Sequence, residues 1–238
     1  MEIDELRILH GLPIDLGVLQ VHPLTCHEIC MMGQPQYNQY LSLLLFTDST
    51  IQLQGMTMGE YETALLYSHA DAEFRRTYAK ALSTFIKEPL VYDEDGFYYV
   101  GDMSEGRVIT KPVLEKLIAI VKKQNLLKDA EAERAYKPVN DRARQLMDQI
   151  RSIKAKIHRH NKEQGLDLSD IISIVSSYAG NLNILSVWNL TVYQLYMTYI
   201  RLIMKDNYEA NLYLLPHQAK PQSVELQHWN TKIKNGDL

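Results

Sequence analysis

The chain has 238 residues and a formal net charge of −4, with 46 % apolar and 23 % charged residues. That composition is ordinary for a globular protein with a real core, and the slight acidity gives no whole-chain attraction to nucleic acid or to an anionic membrane. Only 2 Cys are present, which excludes a disulfide-stapled secreted scaffold and fits a reducing cytosol. The start, with Glu2, Asp4 and Glu5, lacks the basic and apolar regions of a signal peptide.

Residues 12–21 read as extended, with Ile14, Leu16 and Val18 on one face. Thr25 followed by Glu28 has the spacing of a capping box and predicts a helix that ends at Gly33. A second helix is expected from about Pro35 to Phe46, with Tyr37, Tyr40, Leu41, Leu44 and Leu45 on one face. Thr47–Gly59 reads as a connector of polar and small residues. Glu60–Lys87 is helical in pattern with a break near Ala70–Asp71, and Leu65, Leu66, Phe74, Tyr78, Leu82 and Phe85 form its expected buried stripe.

The period then changes. Leu90–Tyr92 and Phe97–Val100 flank Asp95-Gly96, a strong hairpin signal, and Arg107–Ile109 could add a short strand. Thr110 is the expected cap of a helix with Pro112 in its first turn. From Asn140 to about Gln164 a long charged helix is expected. Leu146, Ile150, Ile153 and Ile157 make a narrow heptad-like stripe on it, suited to one partner helix or to dimerisation. Ser169 is the expected cap of the next helix.

The most informative segment is the nearly charge-free, aromatic helix around Trp188–Lys205, capped by Asn189 or Thr191. Val192, Leu195, Tyr196, Tyr199, Leu202 and Ile203 form one broad stripe, and Met197, Ile200 and Met204 widen it. A helix apolar around most of its circumference sits in a core or at an interface. Arg201, Gln194 and the Thr and Tyr content argue against a membrane span. The fold class expected is therefore mainly α, α+β at most, with one small hairpin. The expected division is 1–88, an N-terminal helical region with a short leading strand; 89–137, hairpin plus helix; and 138–238, a C-terminal helical region.

Chemistry-bearing groupings are sparse. His22, Cys26, His27 and Cys30 crowd one stretch, but a structural zinc site needs four ligands and the second pair is absent. Asp93-Glu94-Asp95 lacks the Gly and Glu of a calcium loop. No nucleophile elbow, phosphate-cradling loop or metalloprotease pair occurs. No catalytic residue, metal or cofactor is expected, and the chain reads as non-enzymatic. The basic face with Arg151, Lys154 and Arg159, within 142–162, could grip phosphates. Without interleaved aromatics or a base-reading motif it reads as a solvated or partner-matched face, so nucleic acid is not the expected partner.

Three stretches together resemble the tail assembly chaperones of phages and prophages infecting Gram-positive bacteria. They are Val21-His22-Pro23-Leu24-Thr25 through Leu44; Asp95-Gly96-Phe97 through Asn140; and Asp167-Leu168-Ser169-Asp170-Ile171-Ile172 with Val187-Trp188-Asn189-Leu190-Thr191-Val192-Tyr193-Gln194-Leu195-Tyr196. Gln34 and Met197 stand where that pattern has acidic residues. The resemblance implies a helper that binds or shields the tape-measure protein in the host cytoplasm and tends to self-associate. Trp188, Asn189, Thr191, Gln194, Leu195, Tyr196 and Tyr199 are the expected structural motif, with Trp188, Leu195 and Tyr199 mainly holding the core. Tyr193, Met197, Ile200 and Met204 are the expected partner-binding residues. A structural tail or connector component is the rival reading.

Overall fold

The computed structural model describes residues 4–45, 52–53, 56–57, 59–93, 96–127, 166–178, 180, 182–214 and 228–230. The expected long charged helix, with its Leu146–Ile157 stripe and the basic face of Arg151, Lys154 and Arg159, lies outside them. Among the described residues the fold is mainly α: eight α-helices accompany three two-stranded antiparallel sheets. The chain forms two compact units, one of residues Met1–Leu126 with Trp188–Gln194, the other of Leu127–Val187 with Leu195–Leu238.

Helix α1 (Glu5–His10) was not expected. Asp4 caps it by accepting from the Leu6 amide at 2.9 Å, and Gly11 closes it at φ 83°. That backbone region is costly for any residue with a side chain. The following extended segment is not one strand. It folds back as β1 (Ile14–Asp15) against β2 (Gln20–Val21), with Ile14 opposite Val21. Asp15 accepts from the Gly17 amide at 2.7 Å and turns the chain. The reversal changes the buried set from Ile14, Leu16 and Val18 to Ile14, Leu19 and Val21.

Helix α2 (Cys26–Met32) starts on a complete capping box. The Thr25 hydroxyl accepts from the Glu28 amide at 3.2 Å and Glu28 accepts from the Thr25 amide at 2.8 Å. Helix α3 (Gln34–Leu44) follows, burying Tyr37 and Leu44. A small ladder, β3 (Gln52–Leu53) with β4 (Met56–Thr57), occupies the expected connector.

The predicted break falls at Asp71, between α4 (Glu60–Ala70) and α5 (Ala72–Ile86), where Asp71 caps α5. Helix α5 buries Tyr78, Leu82 and Phe85 as expected. Helix α4 does not follow expectation: it buries Thr63, Ala64 and Ser68, while Leu66 is 40 % exposed. Small side chains on the inward face let helices approach closely; the Ser68 hydroxyl is satisfied, lying 2.6 Å from that of Tyr98, whereas the buried Thr63 hydroxyl has no hydrogen-bond partner. Burial pushes the Tyr98 hydroxyl up to about 12, so it stays protonated at neutral pH.

Strands β5 (Leu90–Tyr92) and β6 (Tyr98–Val100) form the expected hairpin, with Val91 opposite Tyr99. Asp93 closes the turn through its side chain, accepting from the Phe97 amide at 2.6 Å. The expected third strand is reduced to a single bridge, Tyr99 to Val108. Helix α6 (Lys111–Gln124) has Thr110 at its N-cap without a capping side-chain bond, and Pro in its first turn. Its buried stripe of Leu114, Leu117, Ile118, Ile120 and Val121 completes the core of the first unit. Tyr37 reaches from α3 to the Asn125 side chain at the end of α6.

In the second unit, α7 (Leu168–Tyr178) buries Leu168, Ile171, Ile172 and Val175. Its cap is Asp167 rather than Ser169. The Asp167 carboxylate accepts from the Ser169 amide at 2.8 Å and the Asp170 amide at 3.0 Å. A carboxylate at a helix start satisfies free amides and the helix dipole together. A short 3₁₀ turn (Val187–Asn189) then leads to α8 (Val192–Leu214), the longest helix described.

Candidate partner-binding helix and its anchoring joint

Helix α8 begins inside the first unit, and its start is built like that of α2. Of the two expected caps, Thr191 takes the role: its hydroxyl accepts from the Gln194 amide at 3.3 Å, and Gln194 accepts from the Thr191 amide at 2.9 Å. Both helix starts read Leu-Thr-x-x-Glu/Gln, Leu24–Glu28 and Leu190–Gln194. They are joined directly. Thr25 and Thr191 form an antiparallel bridge, in which the Cys26 amide donates to Leu190 at 2.9 Å and the Val192 amide to Leu24 at 3.2 Å. These are amides of the two first helical turns, which have no intrahelical acceptor. Each start supplies what the other lacks.

The Gln194 amide group closes the joint, donating to the Leu9 carbonyl at the end of α1 at 2.8 Å. Thr191 and Val192 are buried there. Thr191→Ala removes the cap acceptor and should cost about 1 kcal/mol of stability, read as a lower urea midpoint at unchanged slope. An unaltered midpoint would mean the box contributes nothing.

Glu28 gives the joint a pH dependence. Partial burial alone would raise its carboxyl, but hydrogen bonds from Lys87 and from Thr25 outweigh that and hold it below the ordinary carboxylate range. A lowered folded-state value means the stabilisation is complete above the unfolded-state pKa and is lost as pH falls through the folded one. Acid unfolding should therefore be shallower in Glu28→Gln than in the parent chain, with little difference near neutrality beyond a constant offset. Identical acid limbs would remove Glu28 from the account.

Along α8, Leu195 is fully buried and Ile200 is 9 % exposed. Ile200, expected on the partner face, thus has little free surface. Tyr193, Met197 and Met204 are half-buried, as are Tyr196, Tyr199 and Leu202. Trp188, expected as core, is also half-buried, and the fully buried residue of its turn is Val187. The helix exposes apolar side chains at Ile203, Leu212 and Tyr213, of which Ile203 lies on the broad stripe expected from the sequence. Within the second unit Tyr178 donates to Asp206 on α8 at 2.9 Å, and Arg201 donates to the Trp229 carbonyl at 2.8 Å.

Ahead of α8, Asn183 and Ser186 tie a tight turn. The Asn183 side chain accepts from the Leu185 and Ser186 amides at 2.9 and 3.0 Å. The turn holds Ile184 and Leu185 out to solvent, Leu185 at 82 %. Leu185, with Tyr213 at 79 % and Tyr178 at 60 %, is among the large apolar groups that the second unit presents most openly among the described residues.

The clustered thiols and imidazoles behave as separate groups. Cys26 is buried and Cys30 exposed, and both are free. Burial pushes the Cys26 thiol up to about 11, so it is not a thiolate at neutral pH. His22 is half-buried; burial and then the Lys87 charge lower its pKa, which favours the neutral ring. Among the described residues, no group of three or more His, Cys, Asp or Glu is placed to hold a metal, and no helix is long and apolar enough to cross a membrane.

Residues 144–234 match the family model described as the YomV second domain, a phage-type family. The matched stretch contains α7, the anchoring joint's Leu190–Gln194 and the whole of α8. Comparison with curated proteins and with solved structures finds no match.

Proposed function

We propose that this chain is a non-enzymatic phage protein acting in the host cytoplasm, a tail assembly chaperone that binds or shields the tape-measure protein during tail morphogenesis. The observation that carries this reading is α8. It is a long helix, anchored at its start by a joint with satisfied capping groups, and it keeps Tyr and Met side chains half-exposed along one stripe. Such side chains suit an apolar helical partner: Met adapts its shape and Tyr adds contact area at little entropic cost. The phage-type family match over the same helix supports the setting, and the resemblance of Trp188–Tyr196 supports the specific role.

The partner face on this reading is Tyr193, Met197 and Met204, which helical spacing puts on one side of α8. Co-expression with the tape-measure protein of the same genome should keep that protein soluble, and affinity capture should recover the pair. Failure to interact at micromolar concentration would overturn the role. Recovery of the chain in purified virions would favour the rival, a structural tail component.

A further inference from the structure

We infer that the partner face of α8 is occupied in the free chain by the chain's own turn His228–Asn230, which an incoming partner segment has to displace. Met197, Arg201, Met204 and Tyr208 follow one another at spacings of four, three and four residues, so they form one stripe along the helix. Met197 and Met204 are residues assigned above to partner binding. Arg201 and Tyr208, interleaved with them, are where the turn is held.

The Arg201 guanidinium donates to the Trp229 carbonyl at 2.8 Å, and the His228 ring packs on the Tyr208 ring with centroids 4.6 Å apart. Arg201 and Tyr208 stand two helical turns apart, so a segment that reaches both lies alongside the stretch of helix that carries Met204. The turn also braces itself. The Asn230 amide donates to the His228 ring at 3.3 Å, and the Trp229 ring stacks on that of His228 with centroids 5.8 Å apart.

This hold is of a kind that gives way. All three residues of the turn are exposed, Trp229 by 40 %, so the turn lies on the surface of the helix and is not enclosed. A charge-assisted hydrogen bond and a ring pair, both open to water, are specific in geometry but small in buried area. An apolar helix laid on the same stripe buries the Met side chains as well. Turn and partner therefore compete for the same groups, and apparent affinity falls by the fraction of chains in which the face is open. The displacement rests on the assignment of α8 to partner binding; the docking of the turn does not.

The test uses the full chain with 5-fluorotryptophan in place of its 2 tryptophans, which gives one fluorine signal for Trp188 and one for Trp229, told apart by Trp188→Phe. In the free chain the Trp229 signal should lie away from the position it takes in urea. Arg201→Ala with Tyr208→Ala should move it there and leave Trp188 unmoved. Adding the tape-measure protein of the same genome should shift Trp229 off its docked position too. In a second arm, His228→Ala with Trp229→Ala should tighten capture of that protein about fivefold, the factor for a face open in about one chain in five, with the thermal melt unchanged.

A Trp229 signal already at its urea position in the parent chain would overturn the docking. A docked signal that the bound partner leaves in place would overturn displacement, as would a doubly substituted chain that captures its partner equally or less tightly. A docked signal in a chain that captures no tape-measure protein would instead overturn the functional assignment, and the displacement with it.

Discussion

Changing Tyr193 and Met197 to alanine together should weaken capture of the tape-measure partner by about thirtyfold, the equivalent of roughly 2 kcal/mol for a pair of interface anchors. The two residues lie one turn apart on α8 and therefore present to the same side. Both are half-buried, so part of each side chain already packs on the fold. The double variant should therefore lose about 1–2 kcal/mol of stability from the area it no longer buries. In a chain of this size that is a fall in Tm of several degrees. Calorimetric titration and a thermal melt on the same sample separate the two effects. A melt lowered by much more, with binding lost in proportion, would mean that this side of α8 is core. Unchanged binding at unchanged stability would move the partner face to Ile203 and Tyr213.

A larger effect on the fold is expected from Leu195→Ala. Leu195 is fully buried immediately after the anchoring joint. Truncating a buried leucine removes its transfer energy and leaves a cavity, together about 2–5 kcal/mol. Against a total stability of about 5–15 kcal/mol for a folded domain, that is a substantial fraction. Leu195→Met keeps the volume and should cost under about 1.5 kcal/mol. Urea denaturation of both variants decides the matter. A Leu195→Ala chain as stable as the parent would show that the site collapses without penalty and that the start of α8 is held by its hydrogen bonds alone.

These two expectations divide the residues of one helix in a way that periodicity could not. The stripe at 192, 195, 196, 199, 202 and 203 is apolar on paper from end to end. In the fold Leu195 is fully enclosed, Tyr196 and Tyr199 are half-enclosed and Ile203 is open. Ile200, on the widened edge of the stripe, is buried. Spacing defines a face, and the neighbours that cover it are remote in sequence.

Local chemistry was legible where it is short-ranged. The Thr25–Glu28 box, the hairpin about Asp93–Gly96, the break at Asp71 and the stripe of α5 each depend on residues within a turn or two, so their signals lie beside them. The mainly α class follows from the same periodicities. Two short elements escaped for the same reason in reverse: α1 has a cap and a closing glycine around only six residues, and β1–β2 is too brief for alternation to register.

What only the tertiary structure decided is how remote pieces complete one another. Nothing near Thr25 indicates that its bridge partner is Thr191, or that Gln194 will close on Leu9, because the free amides of one helix start can be satisfied by any acceptor brought to them. Likewise α4 turns its small residues inward because the adjoining core is already filled by Tyr78, Leu82, Phe85 and Tyr98, so a close approach wins over the burial of Leu66. The Trp188–Tyr196 run that stands out in the sequence is accordingly first a joint: Thr191 and Gln194 cap and clamp, Val192 and Leu195 pack, and Tyr193 stays half-buried.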